Sequence, residues 1–118
     1  MQLRMSNRSL EGVIIVDCIG RLVFGEESAA LRDNVKRLVN DDPRVVLNLR
    51  EVEHIDSGGL GTLVSLYTTA RNAGGALKLA ALPQRIGNLL QVTKLVTIFQ
   101  IFPDEKAAAQ SFHSGATA

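Results

Sequence analysis

Leu3 and Met5 alternate with polar neighbours, a break follows at Glu11 and Gly12, and Val13 to Ile19 is rich in β-branched residues. This pattern predicts two adjacent strands paired as a hairpin. From Glu26 to Asn40 the apolar residues Leu31, Val35, Leu38 and Val39 fall at helical spacing, with Glu26 and Glu27 in the first turn, where the helix dipole favours acids. Pro43 ends that element. Val45, Val46, Leu47 and Leu49 form a short, nearly continuous apolar run, the mark of a central strand covered on both faces. Arg50 to Ile55 then read as a loop, and Asp56, Ser57, Gly58 and Gly59 lead into a second helix carrying Leu60, Leu63, Val64, Tyr67 and Ala70.

Asn72, Ala73, Gly74 and Gly75 close that helix, and Leu77, Leu79 and Leu82 suit a strand. Pro83 suits the first turn of a short helix bearing Ile86, Leu89 and Leu90, and Ile98, Phe99, Ile101 and Phe102 suit a last strand. Asp104 is placed to cap a final helix through Ala109, and the small, polar segment from Ser111 to Ala118 is expected to fray, leaving His113 uninformative. Two strands followed by alternating helices and strands predict an α/β fold, a largely parallel sheet with helical crossovers and one antiparallel edge.

At 118 residues the chain has room for one domain, with a core expected over about residues 3–109. Hydrophobic residues make up 46%, charged residues 21% and aromatics 4%, so the core is aliphatic. A net charge of +1 with scattered basic residues offers no field for nucleic acid or an anionic membrane. No signal peptide or stretch of transmembrane length is evident, so a cytoplasmic protein is expected. The lone Cys18 sits in an apolar run and reads as a buried small hydrophobe, and no metal site is expected. Tyr67 and Arg71 read as a core edge and a solvated helix end.

The informative stretch runs from Val52 to Gly61, just after a central strand and at the start of a helix. Ser57 there has an ordinary structural explanation, as an N-cap whose hydroxyl accepts a backbone N–H. That explanation leaves out Gly58, Gly59 and Gly61, since each interior helical glycine costs about 1 kcal/mol relative to alanine. Glycines bare the Ser57 hydroxyl to a visiting active site, and they also permit tight helix–strand contact; both explanations stand at this point. A hydrolase built from His54, Asp56 and Ser57 is disfavoured because a nucleophile elbow needs glycine two positions before the serine, where Ile55 stands. Neither a P-loop lysine nor Rossmann spacing is present, so no enzyme activity and no cofactor are expected.

Ile55, Asp56, Ser57, Gly58, Gly59, Leu60, Gly61, Thr62 and Leu63, preceded by Val45 to Leu49, resemble the signature of the STAS domain family. Its founding members are sporulation and stress-response anti-sigma factor antagonists. Gly74 to Leu79 resemble the family's turn and following strand, Leu89 to Leu95 its third helix and exit, and Phe99 with Ala107 and Ala108 its ending. The resemblance implies a mixed sheet of about five strands with about four helices. It also implies that Ser57, directly after the aspartate, is phosphorylated by an anti-sigma factor that is itself a serine kinase. The bare form would bind that partner and free a sigma factor, phosphorylation would abolish binding, and a serine phosphatase would reset the switch.

The expected contact surface joins the Arg50 to Ile55 loop, the first turn of the second helix and the Gly20 to Glu27 connection, drawing on Arg21, Phe24, His54, Asp56, Ser57, Gly58, Gly59 and Leu60. Two departures from the family pattern stand out. Gly58 replaces a second serine found in many members, which focuses modification on Ser57. The segment Gly20 to Gly25 lacks the acidic residue many members place near position 23, which leaves the partner's identity open; the oligomeric state is left open separately. The alternative is a non-catalytic scaffold of the same fold in a stress-signalling or transport-associated complex.

Overall fold

A computed structural model describes residues 2–114. Strands β1 (Leu3–Leu10) and β2 (Val13–Leu22) form the expected antiparallel hairpin, turning at Glu11 and Gly12, both in the left-handed region. Helix α1 (Glu26–Asp41) crosses to β3 (Arg44–Ile55), α2 (Ser57–Asn72) to β4 (Ala76–Ala80), and α3 (Gln84–Val92) with a short 3-10 turn (Leu95–Thr97) to β5 (Ile101–Phe102). Helix α4 (Glu105–Ser114) ends the described chain. The sheet order is β1-β2-β3-β4-β5, with β2 through β5 parallel and β1 the antiparallel edge. This is the α/β fold of five strands and four helices that the residue pattern predicts.

Burial follows from the strand period of two. Val16, Cys18, Val45, Leu47, Leu77 and Leu79 face the main core, which α1, α2 and α3 complete with Leu31, Val35, Leu63, Leu66, Ile86 and Leu90. Val13, Ile15, Val46 and Ala80 face the other side, where Ala108 and Ala109 of α4 cover them. Cys18 is 1% exposed, and burial pushes its thiol up to about 12, so it packs as a small hydrophobe. Glu27 is drawn inward from the first turn of α1, and its Oε2 accepts from the Gln2 amide at 2.8 Å, which fastens the start of β1.

Several boundaries differ from expectation. Arg50 to Ile55 are not a loop: β3 continues to Ile55, pairing with β2 through bulges, while β4 pairs with it only as far as Asn48. The distal half of β3 is therefore unpaired by β4, and Arg50, Glu51 and Glu53 are exposed there. Leu82 lies beyond β4, Pro83 is the N-cap of α3 rather than in its first turn, and β5 is only Ile101 and Phe102. Phe99 instead packs edge-on to Tyr67 at 5.5 Å, and Arg71 donates to the Tyr67 hydroxyl at 3.0 Å.

Asp104 caps α4 through the Ala107 amide at 2.8 Å, as expected. The helix runs past Ala109 to Ser114, so residues 111–114 are helical where fraying is expected; residues 115–118 lie outside the described residues. His113 Nε2 lies 2.6 Å from the Glu11 carbonyl oxygen, joining α4 to the hairpin turn.

The α4 face also buries Lys78, which is 7% exposed. Its Nζ donates to Ser111 Oγ at 2.7 Å and lies 4.1 Å and 5.6 Å from the ring centroids of Phe112 and Phe102. No carboxylate pairs with it among the described residues. Desolvation therefore holds the Lys78 ammonium below the usual lysine value of 10.5. In the window below 10.5 the unfolded chain binds the proton more tightly than the folded one, so this residue's contribution to stability rises as pH climbs through that window. Lys78→Met removes the charge and keeps the stem, and Ser111 Oγ retains its bond to the Ala108 carbonyl oxygen at 2.6 Å. Urea unfolding of the two proteins between neutral pH and pH of about 10 is expected to show a rise in the native protein that the variant lacks.

Candidate functional site

The carboxyl ends of β2 and β3 meet the start of α2, the position where open parallel sheets present ligands and partners. Asp56, extended at φ −103° and ψ −176°, is the residue that caps α2. Its Oδ1 accepts from the Gly59 amide at 2.9 Å, and both carboxylate oxygens lie 3.1 Å from the Phe24 amide. These two amides, Gly59 first, hold the Asp56 carboxyl below the usual carboxylate range, so it is ionised. The expected capping role of Ser57 is thus corrected: the aspartate side chain reaches the orphan amide, and the serine follows as the first helical residue. Ser57 is exposed, and its hydroxyl makes no hydrogen bond among the described residues.

The glycines divide by what surrounds them. A Cβ on Gly58 would stand 2.6 Å from the Phe24 Cβ, and one on Gly59 would stand 2.2 Å from the Leu22 carbonyl oxygen. Both are required for the end of β2 and its connection to α1 to lie against the helix. Gly61 has nothing within 4 Å of such an atom, is exposed, and is required by no contact inside the molecule. The tight-packing explanation therefore covers Gly58 and Gly59 and leaves Gly61 over.

Phe24 is 80% exposed although its backbone is fixed by Asp56. It borders a groove of about 340 Å³ between α1 and α2, with Gly58, Gly61 and Ser65 from α2 and Ser28 and Arg32 from α1. Ser28 fixes the entrance of α1 by donating from Oγ to the Val23 carbonyl oxygen at 2.8 Å, while Arg32 forms no ion pair among the described residues. Arg32 and Ser65 line this groove with no signal in the sequence, whereas Gly61 is among the glycines that the sequence sets apart.

The remaining sequence candidates do not all join this groove. Gly59 is buried and Leu60 is 8% exposed in the main core, so both support the turn from beneath. Arg21 is exposed on β2, opposite His54 in the register. His54 is half-buried and opens onto a second hollow, on the α3 side, away from the groove that Phe24 borders. Asp56, Ser57, Gly58 and Phe24 are brought together; Arg21 and His54 flank them. No group of three metal-ligating side chains occurs among the described residues, and no described helix is long and apolar enough to cross a membrane.

Comparison with known proteins agrees with this architecture. The STAS domain family model matches residues 4–108. The anti-sigma-B factor antagonist of Bacillus subtilis is 30% identical over 80 residues, spanning 68% of this chain and 73% of that protein. The crystal structure of an anti-sigma factor antagonist from Mycobacterium paratuberculosis superposes with a TM-score of 0.80 at 23% identity, covering 94% of each chain. The Bacillus cell fate determinant SpoIIAA in its phosphorylated form superposes with a TM-score of 0.67 at 13% identity, over 92% of this chain and 96% of that one. With the family match spanning nearly every described element, this chain belongs to the STAS domain family, among the anti-sigma factor antagonists.

Proposed function

We propose that this protein is a binding switch set by Ser57. In the bare form it seats on an anti-sigma factor that is also a serine kinase, and so frees a sigma factor; phosphorylation of Ser57 ends the complex, and a serine phosphatase restores it. The observation that carries this reading is the unoccupied Ser57 hydroxyl, left exposed because Asp56 takes over the capping of α2. The phosphorylated form known for the similarly folded SpoIIAA supports a phosphate on this architecture.

The seat for the partner is the groove beside Ser57. Phe24 supplies an apolar anchor of the kind that dominates binding energy, and the bare face of Gly61 lets a partner's backbone come close. Arg32 offers a charge for a partner's acid at the same groove. Gly59 and Leu60 hold this surface from below rather than touching the partner.

A phosphate would add roughly 1.5 to 2 negative charges at Ser57. Beside it stands the ionised Asp56, and stripping water from the new anion against a surface matched to a neutral hydroxyl opposes the complex. The fold itself tolerates the phosphate, because the amino end of α2 directs its dipole toward it. Binding is lost without unfolding.

Incubation with the cognate anti-sigma factor and ATP is expected to place one phosphate on Ser57 by mass spectrometry, and Ser57→Ala is expected to take none. Ser57→Asp should weaken binding to that factor by about tenfold or more, about 1.4 kcal/mol, with unfolding unchanged. Undiminished affinity of the aspartate variant would falsify the switch. Phe24→Ala should keep the circular dichroism spectrum and lose at least about tenfold in affinity by calorimetry. Gly61→Ala should stabilise the isolated protein by about 0.5–1 kcal/mol in urea titrations while weakening the same complex.

A further inference from the structure

The hollow on the α3 side has no part in the switch just described. It encloses about 340 Å³, within the lower range of small-molecule sites. Its apolar walls are Ile55, Ile86, Leu89 and Val92, and its polar members are His54, Arg85 and Asn88. On α3, Ile86 and Leu90 make the stripe that enters the core. Arg85, Leu89 and Val92 recur at spacings of four and three along a second stripe, which faces the hollow. Val92 is 80% exposed there, an apolar side chain that nothing in the described molecule covers.

Charge identifies the occupant. Arg85 donates from Nη1 to the Glu53 carbonyl oxygen at 3.3 Å, which steadies the guanidinium at the hollow while leaving four of its five N–H groups for other acceptors. No carboxylate pairs with it among the described residues. Glu51 and Glu53 share an adjacent hollow with Arg85, and neither forms an ion pair with it. An apolar concavity with one held guanidinium, and an imidazole on the opposite element, is complementary to a short apolar tail ending in an anion.

We propose that this hollow binds a small amphipathic carboxylate, with its tail against Ile55, Leu89 and Val92 and its carboxylate on Arg85 beside His54. The site is independent of Ser57 phosphorylation, so either reading can fail without the other. The test is titration of the full chain with octanoate, followed by backbone amide shifts in NMR spectra. Saturable shifts confined to residues 54–55 and 85–92 are expected, with octanol binding about tenfold more weakly. Arg85→Ala, at an exposed position, should weaken octanoate about tenfold, leave octanol unchanged and preserve the amide spectrum elsewhere. Shifts that fail to saturate, that spread over other surfaces, or that are the same for octanol and octanoate overturn the proposal. So does an Arg85→Ala protein that binds octanoate as the native chain does. A hollow that seats a macromolecular partner instead would leave octanoate unbound and the amide shifts unmoved, which also overturns the proposal.

Discussion

One carboxylate holds the functional end of this molecule together. Asp56 accepts from the first turn of α2 and from the connection between β2 and α1, two segments that no other side-chain hydrogen bond joins among the described residues. Charge-assisted bonds of this kind are stronger than neutral ones, and here they fix a loop and a helix entry with a single group. Because Asp56 is spent on backbone amides, the next residue is relieved of structural duty. Ser57 presents its hydroxyl to solvent, and Phe24 is displayed on a backbone that cannot drift.

The glycines after Ser57 illustrate how one motif serves two ends. Gly58 and Gly59 are there because Phe24 and Leu22 occupy the space a side chain would take. Gly61 answers to no such constraint, and its helical cost is uncompensated within the chain. Composition could not separate these roles, since both read as glycine in a first turn. Only the distances around each backbone position divide them.

The extent to which the fold was legible follows from how local its determinants are. Val45 to Leu49 announced a doubly covered strand because both faces are filled, by α4 at Val46 and by the main core at Val45 and Leu47. The continuation to Ile55 was hidden because exposed charged residues interrupt the apolar run where β4 no longer pairs with β3. Residues 111–114 looked like a tail because their partners, Lys78 and Glu11, are far away in the chain. The Asp-Ser-Gly-Gly segment announced the turn into α2, but the second bond of Asp56, to the Phe24 amide 32 positions away, left no local trace. Arg32 and Arg85 carried no local signal at all.

The sheet ends unequally, with two residues in β5 against eight in β1. The outer margin of β1 is thus a long row of main-chain donors and acceptors, the kind of template on which chains stack into fibres. Arg4 and Arg8 punctuate that margin, and Arg8 is held in place by Asp17 and Glu105. Charged side chains along an open margin must give up water before another strand can add to it, so the hairpin's arginines act as a guard against stacking.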